Sequence, residues 1–279
     1  MKTPVETIEI LDGIEVCVRT FGDPSSPPII CWHGFARNGT DFYTLANVLS
    51  NTFYCICPDT PGRGKSEWLE SSQYQFLTYQ RIACDLIQRF SKNRRVHWIG
   101  TSMGGVLGMM MASDSTSRHL INRLIINDIG PEVPVDAIEK IRSSTSEVKT
   151  FRNAEEAQPF FRSVYKTFGP LSSDEWDLLI RHSLRRNEFG ELTQHYDPAI
   201  LKHFGGVQNP ALAWSMFATI MAPMLVIRGE ESDILTASLA DRMVSGALRV
   251  QRLDLPGIGH APFLNSSIQI NAIEKFLSD

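Results

Sequence analysis

No long apolar run occurs in this sequence. Its most apolar stretch, from Met103 to Ala112, is ten residues long and holds three glycines. A bilayer-spanning helix needs about 20 apolar residues, so no transmembrane helix is expected. The amino terminus, Met1 to Glu6, puts charge and proline where a secretory signal would need an apolar stretch. Neither sign of charge dominates. Lys plus Arg number 27 and Asp plus Glu 31, giving a net charge of −4 and a pI near 6.0. That leaves no basic field for gripping nucleic acid or an anionic membrane, and a small-molecule partner is expected instead. Cysteines are few and odd in number: Cys17, Cys31, Cys55, Cys57 and Cys84 show no C-x-x-C spacing. Four of them lie in apolar strand-like or helical patterns, where a free thiol behaves as a small hydrophobe. Reduced thiols and a cytoplasmic location are the expectation. No histidine–cysteine cluster has metal-ligand spacing, so no metal is expected. Repeats and low-complexity stretches are also missing.

What is there is ordinary globular composition, 43% hydrophobic and 21% charged over 279 residues, enough for one large domain or two moderate ones. Short apolar or β-branched runs at 14–20, 28–32, 53–57, 96–99 and 124–127 read as strands, with helical patterns at about 40–50, 74–91 and 103–113. Such alternation predicts a mostly parallel α/β sheet flanked by helices. From 131 to 221 aromatic and aliphatic residues recur at helical spacing, strand runs are missing, and Pro159, Pro170, Pro198 and Pro210 cut the pattern into short helices. Strands return at 224–228 and 250–255, and an amphipathic helix over 266–277 closes the chain. The expected organisation is a core of residues 1–130 and 222–279 interrupted by a helical insertion.

The sharpest local signal is Gly100-Thr101-Ser102-Met103-Gly104, which follows a strand and opens a helix. In that context G-x-S-x-G is a nucleophile elbow. The turn is so tight that side chains at 100 and 104 would collide with the neighbouring strand or helix, and the helix amino end favours charge developing at Ser102. A serine needs a base oriented by a third group. His260 is the candidate base, because Pro256 to Pro262 forms the loop between the last strand and the last helix. The acid should lie between Ser102 and His260. Asp233, after the penultimate strand, is preferred; Asp128, directly after the strand ending at Asn127, is the alternative, with Glu230 and Glu231 behind both. Cys31-Trp32-His33-Gly34-Phe35 follows another strand and offers the Phe35 amide as one oxyanion donor, with the Met103 amide as the other. Gly34 is expected to let that loop bend, and His33 to bond its backbone. Asp59 to Ser66 ends in Gly-Lys-Ser, but Asp59 stands where a phosphate loop needs glycine.

Taken in order, His33-Gly34, Asp59-x-Pro61-Gly62-x-Gly64-x-Ser66, Gly100-x-Ser102-x-Gly104-Gly105, Asp233 and Gly259-His260 resemble the α/β-hydrolase superfamily over the whole chain. The resemblance implies an eight-stranded, mostly parallel sheet, a helical cap over 131–221, and a cofactor-free serine hydrolase. Its acid maps onto Asp233. Ser102 as nucleophile argues against dehalogenases and epoxide hydrolases, which use aspartate. Carbon–carbon bond hydrolases of the fold carry Asn before the nucleophile and Trp after the histidine, where this chain has Thr101 and Ala261. The expected activity is cleavage of a small, largely apolar ester, thioester or lactone through an acyl-enzyme. The alternatives are carbon–carbon hydrolysis or a receptor that keeps the pocket without turnover. Of the cap's large apolar residues (Phe160, Phe161, Phe168, Trp176, Trp214, Met216 and Phe217), most are expected to pack the cap and its contact with the core, and the rest to line an apolar pocket. Oligomeric state is left open.

Overall fold

The computed structural model describes residues 2–146, 148–203 and 209–279. The chain begins with an antiparallel hairpin, β1 (Val5–Leu11) and β2 (Ile14–Phe21), and continues through β3 (Pro28–Trp32), α1 (Tyr43–Leu49), β4 (Tyr54–Pro58) and α2 (Phe76–Ser91). Next come β5 (Val96–Thr101), α3 (Met103–Ser113) and β6 (Ile121–Asn127). The stretch 131–221 holds α4 (Val135–Ser146), β7 (Thr150–Phe151), α5 (Ala154–Val164), α6 (Ser173–His182), β8 (Leu184–Arg186), β9 (Leu192–Gln194) and α7 (Pro210–Ala218). Residues 147 and 204–208 of the expected cap, and the side chain of His203, lie outside the described residues. Finally β10 (Met224–Gly229), α8 (Ala237–Gly246), β11 (Val250–Leu255) and α9 (Ser267–Ser278) complete the chain.

The main sheet has eight strands in the order β1-β2-β4-β3-β5-β6-β10-β11. Pairing is antiparallel from β1 to β4 and parallel from there on. Strands β3 and β4 are buried at every position, as expected of parallel strands covered on both faces. One face packs Trp32 against Trp98, stacked at 5.4 Å, together with α2 and α3; the other packs Phe42, Leu45 and Phe276. Helix α3 is apolar nearly all round because it is sandwiched between sheet and α7. The seven expected strands are present within a residue or three at each end, and β1 is an eighth. Its polar residues Glu6, Thr7 and Glu9 suit an edge strand.

Two expectations about the insertion need correction. It is not free of strands, since β7, β9 and β8 form a small antiparallel sheet. Pro159 does not cut a helix but sits inside α5, whose start is fixed by Asn153 accepting from the Glu156 amide. Pro210, by contrast, opens α7 as its first residue. Among the described residues no helix is long and apolar enough to cross a membrane, and no cluster of His, Cys, Asp and Glu could hold a metal ion.

Candidate active site

Strand β5 ends at Thr101 and α3 starts at Met103, which leaves Ser102 alone in the turn with φ 51° and ψ −115°. A non-glycine residue rarely holds a positive φ. Here the neighbours enforce it: the Ser102 amide donates to the Asn127 carbonyl at 2.9 Å, and the Ser102 carbonyl accepts from the Gly105 and Val106 amides. A Cβ at Gly100 would collide with the Gly104 carbonyl, and one at Gly104 with the Trp32 carbonyl. The elbow therefore requires both glycines.

His260, in the loop after β11, brings Nε2 to 3.0 Å from Ser102 Oγ and Nδ1 to 2.8 Å from Asp128 Oδ2. A carboxylate only accepts, so Nδ1 carries the proton and Nε2 is left to accept from the serine hydroxyl. Asp128 is fully buried; its Oδ1 accepts from the Gly229 amide at 3.0 Å. The preference for Asp233 is thus corrected. Asp233 follows β10 at a distance of four residues and lies on the surface, paired with Lys140 at 2.7 Å, the two side chains 51% and 70% exposed. Asp128 is the first residue beyond β6, next to the nucleophile's own strand, and that immediacy was the available signal. Among the described residues the His260 ring bonds to Asp128 and Ser102, and not to Glu230 or Glu231. The His260 loop is held from two sides. Asn127 Nδ2 donates to the Pro262 carbonyl, and Thr167, from the insertion, donates its hydroxyl to the His260 carbonyl at 2.6 Å.

Met103 stands in the first turn of α3, where no carbonyl of the helix reaches its amide. Phe35 lines the same cavity as Ser102. A Cβ at Gly34 would meet Ser102 Cβ only at 3.7 Å, and its φ is not in the left-handed region, so the bend expected of Gly34 does not depend on glycine. His33 is fully buried. Its Nδ1 donates to the Gly34 carbonyl at 2.7 Å, and Nε2 accepts from the Thr60 amide at 2.8 Å. Burial pushes its pKa down to about 4, so it is a neutral strut of this loop. The segment 59–66 is organised by Asp59, which binds Arg19, the Gly39 amide and the Lys65 amide. Lys65 itself points to Glu6, as a surface lysine rather than a phosphate ligand.

The catalytic candidates open into a cavity of about 320 Å³. Gly34, Phe35, Ser102 and His260 contribute to one side, and Phe160, Phe161, Tyr165 and Phe168 of the insertion to the other. Phe160, Phe161 and Phe168 also pack against neighbours within the insertion. Trp214 and Phe217 pack into the core of the main sheet, Trp176 packs within the insertion, and Met216 is exposed. Four charged residues also border the cavity. Arg37 is forked onto Asp41, donates to Ser183 Oγ and lies 4.6 Å from the Tyr165 ring centre, so that charge is internally neutralised. Lys140 and Asp233 form the exposed pair already described, with one partner on α4 and the other after β10.

Comparison with known proteins identifies the family. Residues 29–272 match the alpha/beta hydrolase family. The chain is 32% identical over 269 residues to the 3-hydroxybutyrate-oligomer hydrolase of Cupriavidus necator, covering 92% of this chain and 91% of that protein. Among solved structures, a putative hydrolase from Rickettsia typhi superposes with a TM-score of 0.88 at 29% identity, covering 100% of this chain and 99% of the other. An alpha/beta hydrolase from Novosphingobium aromaticivorans does so with a TM-score of 0.88 at 30% identity and the same coverage. The chain is a hydrolase and belongs to the α/β-hydrolase family.

Proposed function

We propose that this protein is a serine esterase for short, mostly apolar carboxylic esters, and that oligoesters of small hydroxy acids are its best-matched substrates. The observation that carries the reading is the continuous line from Ser102 through His260 to Asp128, opening on the floor of a small aromatic-walled cavity. Ser102 Oγ attacks the ester carbonyl as His260 Nε2 takes its proton. Asp128 holds the ring and stabilises the imidazolium. The amides of Phe35 and Met103 receive the oxyanion, the alcohol leaves with the proton from His260, and water resolves the acyl-enzyme by the same steps.

The substrate class draws on two features. A cavity of about 320 Å³ is at the small end of the ~300–1,000 Å³ usual for ligand sites, which suits a short chain. Lys140 beside the apolar walls suits a substrate that is mostly hydrocarbon and ester but ends in a carboxylate. The likeness to a 3-hydroxybutyrate-oligomer hydrolase over nearly the whole of both chains supports that choice. Four buried free thiols and one half-buried one suit the reducing cytoplasm. An organophosphonate probe should form one adduct, on Ser102, as read by peptide mass spectrometry. Ser102→Ala should lose that adduct and about 10⁴-fold or more of its turnover on a short aryl ester. Labelling elsewhere, or activity retained by the variant, would refute the proposal.

A further inference from the structure

The oxyanion donors of the proposed mechanism share a neighbour that none of the motifs singled out. Arg63, from the segment between β4 and α2, is only 1% exposed. Its Nε donates to the Phe35 carbonyl at 2.9 Å, and its guanidinium lies 5.2 Å from the Phe35 ring centre. Its Nη2 lies 3.7 Å from Met103 Sδ. The remaining arm, Nη1, donates to the Pro61 carbonyl and the Tyr79 hydroxyl. One side chain therefore grips both residues whose amides would hold the oxyanion.

The same guanidinium has no carboxylate within 4 Å among the described residues. Carbonyl dipoles, a hydroxyl, the Met103 sulfur and the faces of Phe35, Tyr74 and Tyr79 surround it. Asp197 is kept apart by Tyr74, whose hydroxyl donates to it at 2.6 Å. Leaving a buried cation without a counter-ion is costly for stability alone. A cation behind an oxyanion hole is different, because it favours the negative tetrahedral intermediate over the neutral ester, and a buried charge is screened less than an exposed one. Arg63 is also anchored from the insertion: the Gly64 amide donates to the His195 carbonyl and the Asp197 amide to the Gly62 carbonyl.

We propose, resting on the esterase reading above, that Arg63 is the positioning residue of the oxyanion donors and that its unpaired charge strengthens them. Arg63→Met, which keeps bulk and loses charge, should lower kcat on a short aryl ester about 30- to 100-fold with KM within threefold. That is somewhat less than the ~10²–10³-fold of deleting a donor outright. Affinity for a trifluoromethyl ketone, which becomes tetrahedral on Ser102, should fall by the same factor, while affinity for the planar product acid stays unchanged. Arg63→Lys should recover part of the loss. Tyr79→Phe, a milder change that frees one arm of the guanidinium, should show the same split on a smaller scale and serves if the Arg63 variants do not fold. Folded variants with kcat and ketone affinity within threefold of the parent would overturn the inference, as would parallel losses for ketone and product. Failure of the parent to label at Ser102 would instead sink the esterase reading itself.

Discussion

Asp128 uses both of its carboxylate oxygens, one on His260 and one on the Gly229 amide. An asparagine there would turn a donor towards Nδ1 and favour the tautomer that cannot accept from Ser102. Asp128→Asn should therefore cost ~10⁴-fold in kcat. Asp233→Asn should stay within about threefold on a neutral short ester, because an exposed ion pair contributes only ~0–1 kcal/mol. Steady-state kinetics of the two variants decides the matter, and the reverse ranking would restore Asp233. Ser102 and His260 could be read from the chain because each occupies a motif with a mechanical requirement: the glycines that permit a strained turn, and a loop at the end of a strand. The acid has no such requirement. Any carboxylate near a strand end satisfies the chain order, and beyond the immediacy of Asp128 to β6 it is burial that separates it from Asp233.

Among elements, long periodic ones were legible and short ones were not. Helix α2 is long and amphipathic enough to show its period, while α3 and the strands of the parallel sheet stand out as continuous apolar runs. Strands β7, β8 and β9 have two or three residues each, too few for alternation to emerge, and only the hairpin turn at Asn187–Gly190 marks them. Helix α4, with its exposed, charged sequence, sets Lys140 at the cavity in an exposed ion pair with Asp233. In the proposed reading a substrate carboxylate would replace that partner. Lys140→Met should raise KM about two- to fivefold for a hydroxy-acid dimer with a free carboxylate and leave its methyl ester unaffected, since such pairs are worth ~0.2–1 kcal/mol. Asp233→Asn should lower KM for the same acid by removing the competitor. Equal effects on acid and methyl ester would exclude this role.

For the whole molecule, the parallel sheet could be anticipated because burial on both faces imposes continuous apolar runs. The way the insertion is sewn onto the sheet domain could not. Several of those ties are backbone bonds, between Gly259 and Thr167 and between the 62–64 segment and 195–197, and a backbone amide leaves no trace in residue type. They fasten the loop of His260 and the 62–64 segment to the insertion. His260 and Ser102, 158 residues apart in the chain, meet within hydrogen-bond distance.

The seat that makes His33 a neutral strut has a consequence for acid tolerance. His97 and His182 are likewise held at a pKa of about 4, chiefly by burial. In the unfolded chain all three titrate near ~6.5. Between about pH 6.5 and 4 the unfolded chain therefore binds protons that the folded protein refuses. Folding free energy is complete above the upper value and drains away as pH falls through the window, by up to ~1.4 kcal/mol per pH unit for each histidine. Urea midpoints measured from pH 7.5 down to 5 should fall before carboxylates begin to titrate, and His97→Gln should flatten the decline by about one proton. A midpoint independent of pH across that range would contradict it. Such a protein carries in its own interior, among histidines kept neutral by burial, a proton-operated limit on survival in acid.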